Sequence, residues 1–385
     1  MLLFRLFRPA LTLGCLLCGL SLAAQTTGEE WFVAGNEKLD ANDFVGAIDA
    51  YNRALELIPD ADGGYTNRGL AKWQAGDLSG ARADLAQALR LNPENGYALG
   101  VRGKIKLQEG DYAGAVTDLT AALAEESENI DFLSSRAVAQ WSLGEAEKAL
   151  ADFTQVIEID PDHAQAYFAR SLVHQNRGDL SAALADLSHV LRLQPDNGDA
   201  YLRRAIINYG RGDFAGVIPD ALKAAELEHN PGTALAFAGY ASFASGETAQ
   251  AVDLLGRSAD RRDGTGAAFP LFVRHLALLR LGTPDERLAA AWPAWKEEPW
   301  SQALARFLLG GLDEDQLEAQ VAAGKDDDDR LGRECELHFY AGMMRLLTGD
   351  KATARLRFRA ALATKKTSFI EYPLADAELK RLRVP

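Results

Sequence analysis

Residues Tyr65 to Ala88 read YTNRGLAKWQAGDLSGARADLAQA, and 34 residues on, Leu99 to Ala122 read LGVRGKIKLQEGDYAGAVTDLTAA. The same phase extends both ways. Small residues recur at Gly35, Gly69, Gly103, Ala137, Ser171, Ala205 and Gly239. A second set follows at Ala47, Ala81, Ala115, Ala149, Ala183, Val217 and Ala251, and a third at Ala54, Ala88, Ala122, Val156, Val190, Ala224 and Ser258. Between the first two sets lies a turn, written Asn42-Asp43, Gly76-Asp77, Gly110-Asp111, Gly144-Glu145, Gly178-Asp179, Gly212-Asp213 and Gly246-Glu247. Pro59, Pro93, Pro161 and Pro195 close four of the units, with Ser127 and His229 at that place in two others.

The spacing predicts two antiparallel helices per unit, A and B, each of roughly a dozen residues. Gly or Ala where the helices touch lets their backbones approach. Larger residues such as Trp31, Tyr65, Tyr167 and Tyr201 fill the layer between units. Gly ends helix A and the following Asp caps helix B. The late Pro ends helix B. One hairpin cannot bury its apolar face alone, so the units are expected to stack into a solenoid with a concave side.

This pattern resembles the tetratricopeptide repeat. The resemblance implies an all-α superhelical solenoid that binds other proteins and needs no cofactor, metal or catalytic residue. Seven regular repeats are expected over residues 28–263, then an irregular helical connector with Trp and Pro over 264–299, then a C-terminal module over 300–385. In that module the repeat returns once, through Gly342, Gly349-Asp350, Ala354, Phe358 and Ala361, with Phe369, Tyr372, Leu374, Leu379 and Leu382 as capping contacts.

The chain has 385 residues, 48% of them hydrophobic, and a net charge of -14. That is enough apolar material for a continuous core, and the acidity argues against nucleic acid or an anionic membrane surface as partner. Residues 1–24 read as a secretory signal: Arg5 and Arg8, then an apolar run from Ala10 to Leu22, then small Ala23 and Ala24. The expected protein is exported and periplasmic. Cys15 lies in a weak lipoprotein-like context, so simple cleavage is expected over lipidation or an uncleaved anchor. Cys335 is then left without a cysteine partner.

Arginine recurs one place before the first small position, at Arg68, Arg102, Arg136, Arg170 and Arg204. Aspartate follows each by 16 residues, at Asp84, Asp118, Asp152, Asp186 and Asp220. The turn falls midway, so each pair should lie at one height in its hairpin. An ion-pair ladder within and between units is expected, since the arginine fork suits a carboxylate.

Inward positions of the A helices give the candidate partner groove. They are Phe32 and Asn36; Thr66, Leu70 and Trp73; Tyr97, Lys104 and Leu107; Ser134 and Trp141; then Phe168, Leu202, Tyr209, Tyr240 and Phe243. An aromatic, largely uncharged stripe suits an extended peptide or helix with apolar anchors. Asn36 and Asn67 match two positions of a carboxylate-clamping groove, but Phe32, Tyr97 and Val101 replace its cations, so clamping is not expected.

Other features are weaker. Trp292, Trp295 and Trp300 surround Pro293 and Pro299, as apolar plugs or as a stacking platform for an envelope glycan. Asp326 to Asp329 read as a solvated loop and lack calcium-loop spacing. Cys335 and His338 are one helical turn apart, the weak basis for a competing hydrolase reading.

The C-terminal part also resembles the NlpI family of bacterial periplasmic tetratricopeptide lipoproteins, from Trp300 to Leu382. The matching residues are Trp300, Phe307, Leu309-Gly310, Leu317, Phe339-Tyr340, Gly342, Leu347, Gly349-Asp350, Ala354, Phe358, Ala361, Phe369, Glu371, Ala375 and Glu378-Leu379. The resemblance implies a non-enzymatic envelope adaptor for peptidases or wall-synthesis enzymes, and a homodimer.

Overall fold

The computed structural model describes residues 19–262, 264–295 and 298–383. Most of the expected leader, with Cys15 and Cys18, lies outside the described residues. Among the described residues all regular structure is helical. The chain forms two compact units, dividing between Ala166 and Tyr167.

The first unit contains α1 (Gly19–Asp40), α2 (Phe44–Leu57), α3 (Asp62–Gln74), α4 (Leu78–Leu91), α5 (Gly96–Glu109), α6 (Tyr112–Glu125), α7 (Ile130–Ser142) and α8 (Ala146–Ile159). These are four A/B hairpins, and successive hairpins pack on one another. The turn chemistry works as the sequence predicts. Gly110 takes a left-handed φ of 82° at the end of α5, and the Asp111 carboxylate then accepts from the Gly114 backbone N–H at 2.9 Å. The small positions sit where helices touch. A Cβ added to Gly103 would come within 2.7 Å of Leu119 on the facing helix.

The second unit continues with α9 (Ala164–Arg177, beginning at the division), α10 (Leu180–Leu193), α11 (Gly198–Gly210), α12 (Phe214–Glu226), α13 (Pro231–Ser245) and α14 (Thr248–Asp260). The regular pattern then gives way to α15 (Ala268–Arg280), α16 (Glu286–Ala291), α17 (Pro299–Leu308) and α18 (Glu314–Val321). Pro293 and Pro299 keep these elements short, as expected. A final hairpin, α19 (Asp327–Leu347) and α20 (Lys351–Ala363), precedes α21 (Glu371–Arg381). It repeats the hairpin logic: Gly342 lies against the Phe358 ring, and Asp350 caps α20.

The core of the second unit is one large cluster. Phe272 meets Trp295 and Tyr340 edge to face, each at 5.7 Å between ring centroids, and Phe339 and Phe358 complete the layer. Trp295 is 3% exposed and the indole N–H of Trp300 donates to Glu336. These two tryptophans are therefore packing residues rather than a stacking platform. The aspartate run is not a loop. Asp326 caps α19, its side chain accepting from the Asp329 N–H at 2.8 Å, and Asp327 to Asp329 form the first turn. Acids there complement the positive end of the helix dipole, which periodicity alone does not reveal.

Candidate partner-binding face

The five Arg–Asp pairs all form, each as a two-bond fork. In the first unit Arg68 Nε and Nη2 reach Asp84 at 2.8 and 2.6 Å, Arg102 reaches Asp118 at 2.6 and 2.8 Å, and Arg136 reaches Asp152 at 2.7 and 2.8 Å. In the second unit Arg170 reaches Asp186 at 2.9 and 2.7 Å, and Arg204 reaches Asp220 at 2.7 Å twice. The aspartates are buried. Burial acts to raise the Asp118 carboxyl, but its bonds to Arg102 and Lys106 overcome this and hold it below its ordinary value.

The link to the preceding hairpin is neutral, not a second ion pair. Arg68 Nη1 donates to Asn52 at 2.8 Å, and Arg204 Nη1 donates to Ser188 at 3.1 Å. The sequence reading also missed an aromatic partner three residues ahead. Tyr65 lies under Arg68, Tyr167 under Arg170 and Tyr201 under Arg204, at 5.3, 5.6 and 5.9 Å. Arg68 and Arg204 have fork, neutral bond and ring all engaged, and all five arginines are committed to a buried aspartate, which makes them structural.

The A-helix positions of the first unit divide by burial. Phe32, Asn36, Leu70, Trp73, Tyr97, Lys104, Leu107, Ser134 and Trp141 are half-exposed. Thr66 is buried, its hydroxyl donating to the Asp62 carbonyl, and so leaves the candidate face. Trp73 is fixed from two sides. Its indole N–H donates to Gln108 at 2.7 Å, and Lys104 Nζ lies 5.7 Å from its ring. Asn36 accepts from the Tyr51 hydroxyl at 2.7 Å and from Asn67 at 2.9 Å, so the two clamp-like asparagines bond each other. An apolar cleft of about 550 Å³ opens beside Phe32, walled by Val33, Leu55 and Ile58.

The second unit corrects the sequence reading. Phe168 stays half-exposed, with Arg203 5.4 Å from its ring. Leu202, Tyr209, Tyr240 and Phe243 are buried. Leu202 packs against Ala224 and Ala234 of the next helices, whereas Tyr209 and Phe243 meet the chain's own C-terminal segment. The Tyr209 hydroxyl donates to the Ile370 carbonyl at 2.7 Å, and Arg381 at the end of α21 donates to the Phe243 carbonyl at 3.3 Å. Arg280 lies 4.2 Å from the Phe243 ring. These residues are core in the folded chain and leave the candidate face.

Cys335 is fully buried, and burial with the nearby charge of Glu371 pushes its thiol up to about 12. A thiol held neutral this firmly is no nucleophile at neutral pH. His338 makes its ring contact with Arg357 at 3.1 Å, and burial with that charge lowers its pKa. Buried and held neutral, Cys335 is poorly placed to serve as the nucleophile of the hydrolase reading. No helix among the described residues is long and apolar enough to cross a membrane.

Two family models, both described as tetratricopeptide repeat, match the chain. One covers residues 66–130 and 168–232, the other 106–173. A tetratricopeptide repeat protein 36 homolog from Nematostella vectensis is 45% identical over 40 residues, 10% of this chain and 22% of that relative. Three similar solved structures are MamA, YrrB and Pseudomonas aeruginosa PilF. MamA is 22% identical with a TM-score of 0.39, covering 45% of this chain and 94% of its own. YrrB, described as a TPR protein with an unusual peptide-binding site, is 23% identical with a TM-score of 0.40, covering 47% and 96%. PilF is 12% identical with a TM-score of 0.48, covering 53% and 93%.

Proposed function

We propose that this tetratricopeptide-repeat protein is a non-catalytic scaffold that holds an extended peptide or helix of a partner protein on the A-helix face of its first unit. The observation that carries this reading is the half-exposed row Leu70, Trp73, Leu107 and Trp141, presented by successive rigid helices. Large indole and leucine side chains that are positioned but not fully covered are the usual anchors of helix and peptide recognition. Lys104 gives the row one cation, partly occupied by Asp131 at 3.5 Å, so a partner with apolar anchors and few charges fits best.

The leader at residues 1–24 supports export to the periplasm, and the resemblance over 300–382 supports envelope peptidases or wall-synthesis enzymes as partners. A photo-crosslinking residue at Leu107 of the full chain, activated in cells, tests the reading. A reproducible envelope-protein adduct is expected, lost in the Trp73→Ala/Trp141→Ala variant while that variant keeps its melting temperature. Unfolding of the double variant would make the indoles core residues. Recovery of glycan alone would replace the reading with polymer binding.

A further inference from the structure

The second unit has an open pocket of about 310 Å³ between α13, α19 and the segment leading into α21. Phe237, Tyr240, Phe269 and Phe369 supply aromatic walls, and two carboxylates open onto it, Glu336 and Glu371. Their residues are only 4% and 1% exposed.

Other buried acids of this unit face an arginine: Asp186 has Arg170, Asp220 has Arg204, Asp285 has Arg274 at 2.8 Å, and Glu378 has Arg280 at 2.5 Å. Glu336 and Glu371 differ. Their hydrogen-bond donors are neutral, the Trp300 indole for Glu336 and the Tyr340 hydroxyl, at 2.8 Å, for Glu371. Among the described residues neither has a cation at ion-pair distance. The cations around them are engaged elsewhere. Arg333 bonds Asp329 at 3.0 Å, Lys366 pairs with Asp328, and Arg262 donates to the Gly266 carbonyl and the Thr233 hydroxyl at 3.0 and 2.7 Å.

Buried carboxylates without a counter-ion must either hold protons or take in a cation. Aromatic faces attract a cation as well. The cavity has room for a short alkyl stem but not for a peptide chain. Arg262 on the wall disfavours a second positive charge.

We propose that this cavity binds a primary alkylammonium group, seated between Glu336 and Glu371 with its stem against the aromatic rings. The site is independent of the partner face in the first unit. Burial pushes Glu371 up to about 7, and burial with the Glu371 charge lifts Glu336 well above its usual range. The neighbouring Tyr209, Tyr240, Tyr340 and Cys335 are shifted upward, chiefly by burial, so they stay neutral near pH 7. An entering ammonium therefore displaces a proton from the carboxylate pair.

Titration of the full chain with n-butylamine and with its neutral isostere n-butanol, followed by ligand-observed NMR and calorimetry, tests the proposal. Saturable binding of butylammonium is expected, tightening between pH 6 and 8 by up to about tenfold per pH unit for one displaced proton. Butanol and 1,4-diaminobutane should bind much more weakly. Glu336→Gln and Glu371→Gln should abolish binding without lowering the melting temperature at neutral pH. Equal binding of butanol, pH-independent binding in the unaltered protein, or binding that survives the double Gln variant would overturn it. Nα-acetyl-lysine methylamide separates the sources: its binding assigns the site to a lysyl side chain, and binding of butylamine alone to a free amine.

Discussion

Every ladder arginine makes the fork, Arg68 and Arg204 add a neutral bond and a tyrosine ring, and the three kinds of contact differ in weight. The fork to a buried aspartate dominates, because losing the arginine strands a carboxylate away from water. Arg136→Ala is expected to cost about 3 kcal/mol, read as a lower denaturation midpoint in urea. Replacing both partners, as Arg136→Leu with Asp152→Leu, should cost less than the single change, since no charge is then stranded. A double variant additive with its singles would remove the pair from the stabilising contacts. This ladder was legible because a spacing of 16 recurs at a period of 34 and needs no knowledge of the tertiary structure. Tyr65, Tyr167 and Tyr201 were visible at the same phase, but only the structure shows their rings under the guanidinium groups.

The helices are set by their ends. Asn95 caps α5, its side chain accepting from the Ala98 N–H at 2.8 Å, and it also donates to Asp62 at 2.7 Å. Asn95→Ala should cost about 1–2 kcal/mol, through the lost cap. Gly110→Ala meets no neighbour within 4 Å, so its cost, on the order of 1 kcal/mol, would come from backbone strain alone. Chemical denaturation of both variants checks the two figures, and a neutral Gly110→Ala would show that the left-handed turn relaxes. Which helix face is open was only half legible. Trp73 and Trp141, which helix phase points into the groove, are half-exposed in the first unit. It failed for Tyr209, Tyr240 and Phe243 because the elements that cover them, α21 and the segment before it, lie more than a hundred residues further along the chain. Sequence phase names a face; it cannot name a cover that arrives from so far away. The aspartate run failed differently, because a helix start made of four acids carries no apolar periodicity.

The whole chain is acidic, with a net charge of -14, yet its response to acid should hinge on few groups. Glu371 is raised from 4.5 to about 7 in the folded protein by burial. Between those values the folded state keeps a proton that the unfolded state has lost, so stability falls as pH rises through that window. Glu371→Gln removes this dependence. The variant should melt higher than the parent above about pH 7 and alike near pH 4, by calorimetry of the second unit. A constant difference across that range would show that Glu371 carries no shifted proton. The seven-hairpin plan and the returning hairpin at α19 and α20 were readable at this scale, because repetition multiplies a weak local signal. The buried carboxylates were not, since Glu336 and Glu371 stand outside the regular repeats and look like any surface acid.

Each fork closes inside its own 34-residue copy, while the contacts to the preceding hairpin at Asn52 and Ser188 are uncharged. For its buried ion pair, though not for surface pairs such as Lys104–Asp131 and Arg82–Glu109, a copy is thus a sealed cassette. Gene duplication or deletion of residues 96–129 carries Arg102 and Asp118 together and orphans neither. A lineage can lengthen or shorten such an array by unequal recombination without stranding a buried carboxylate.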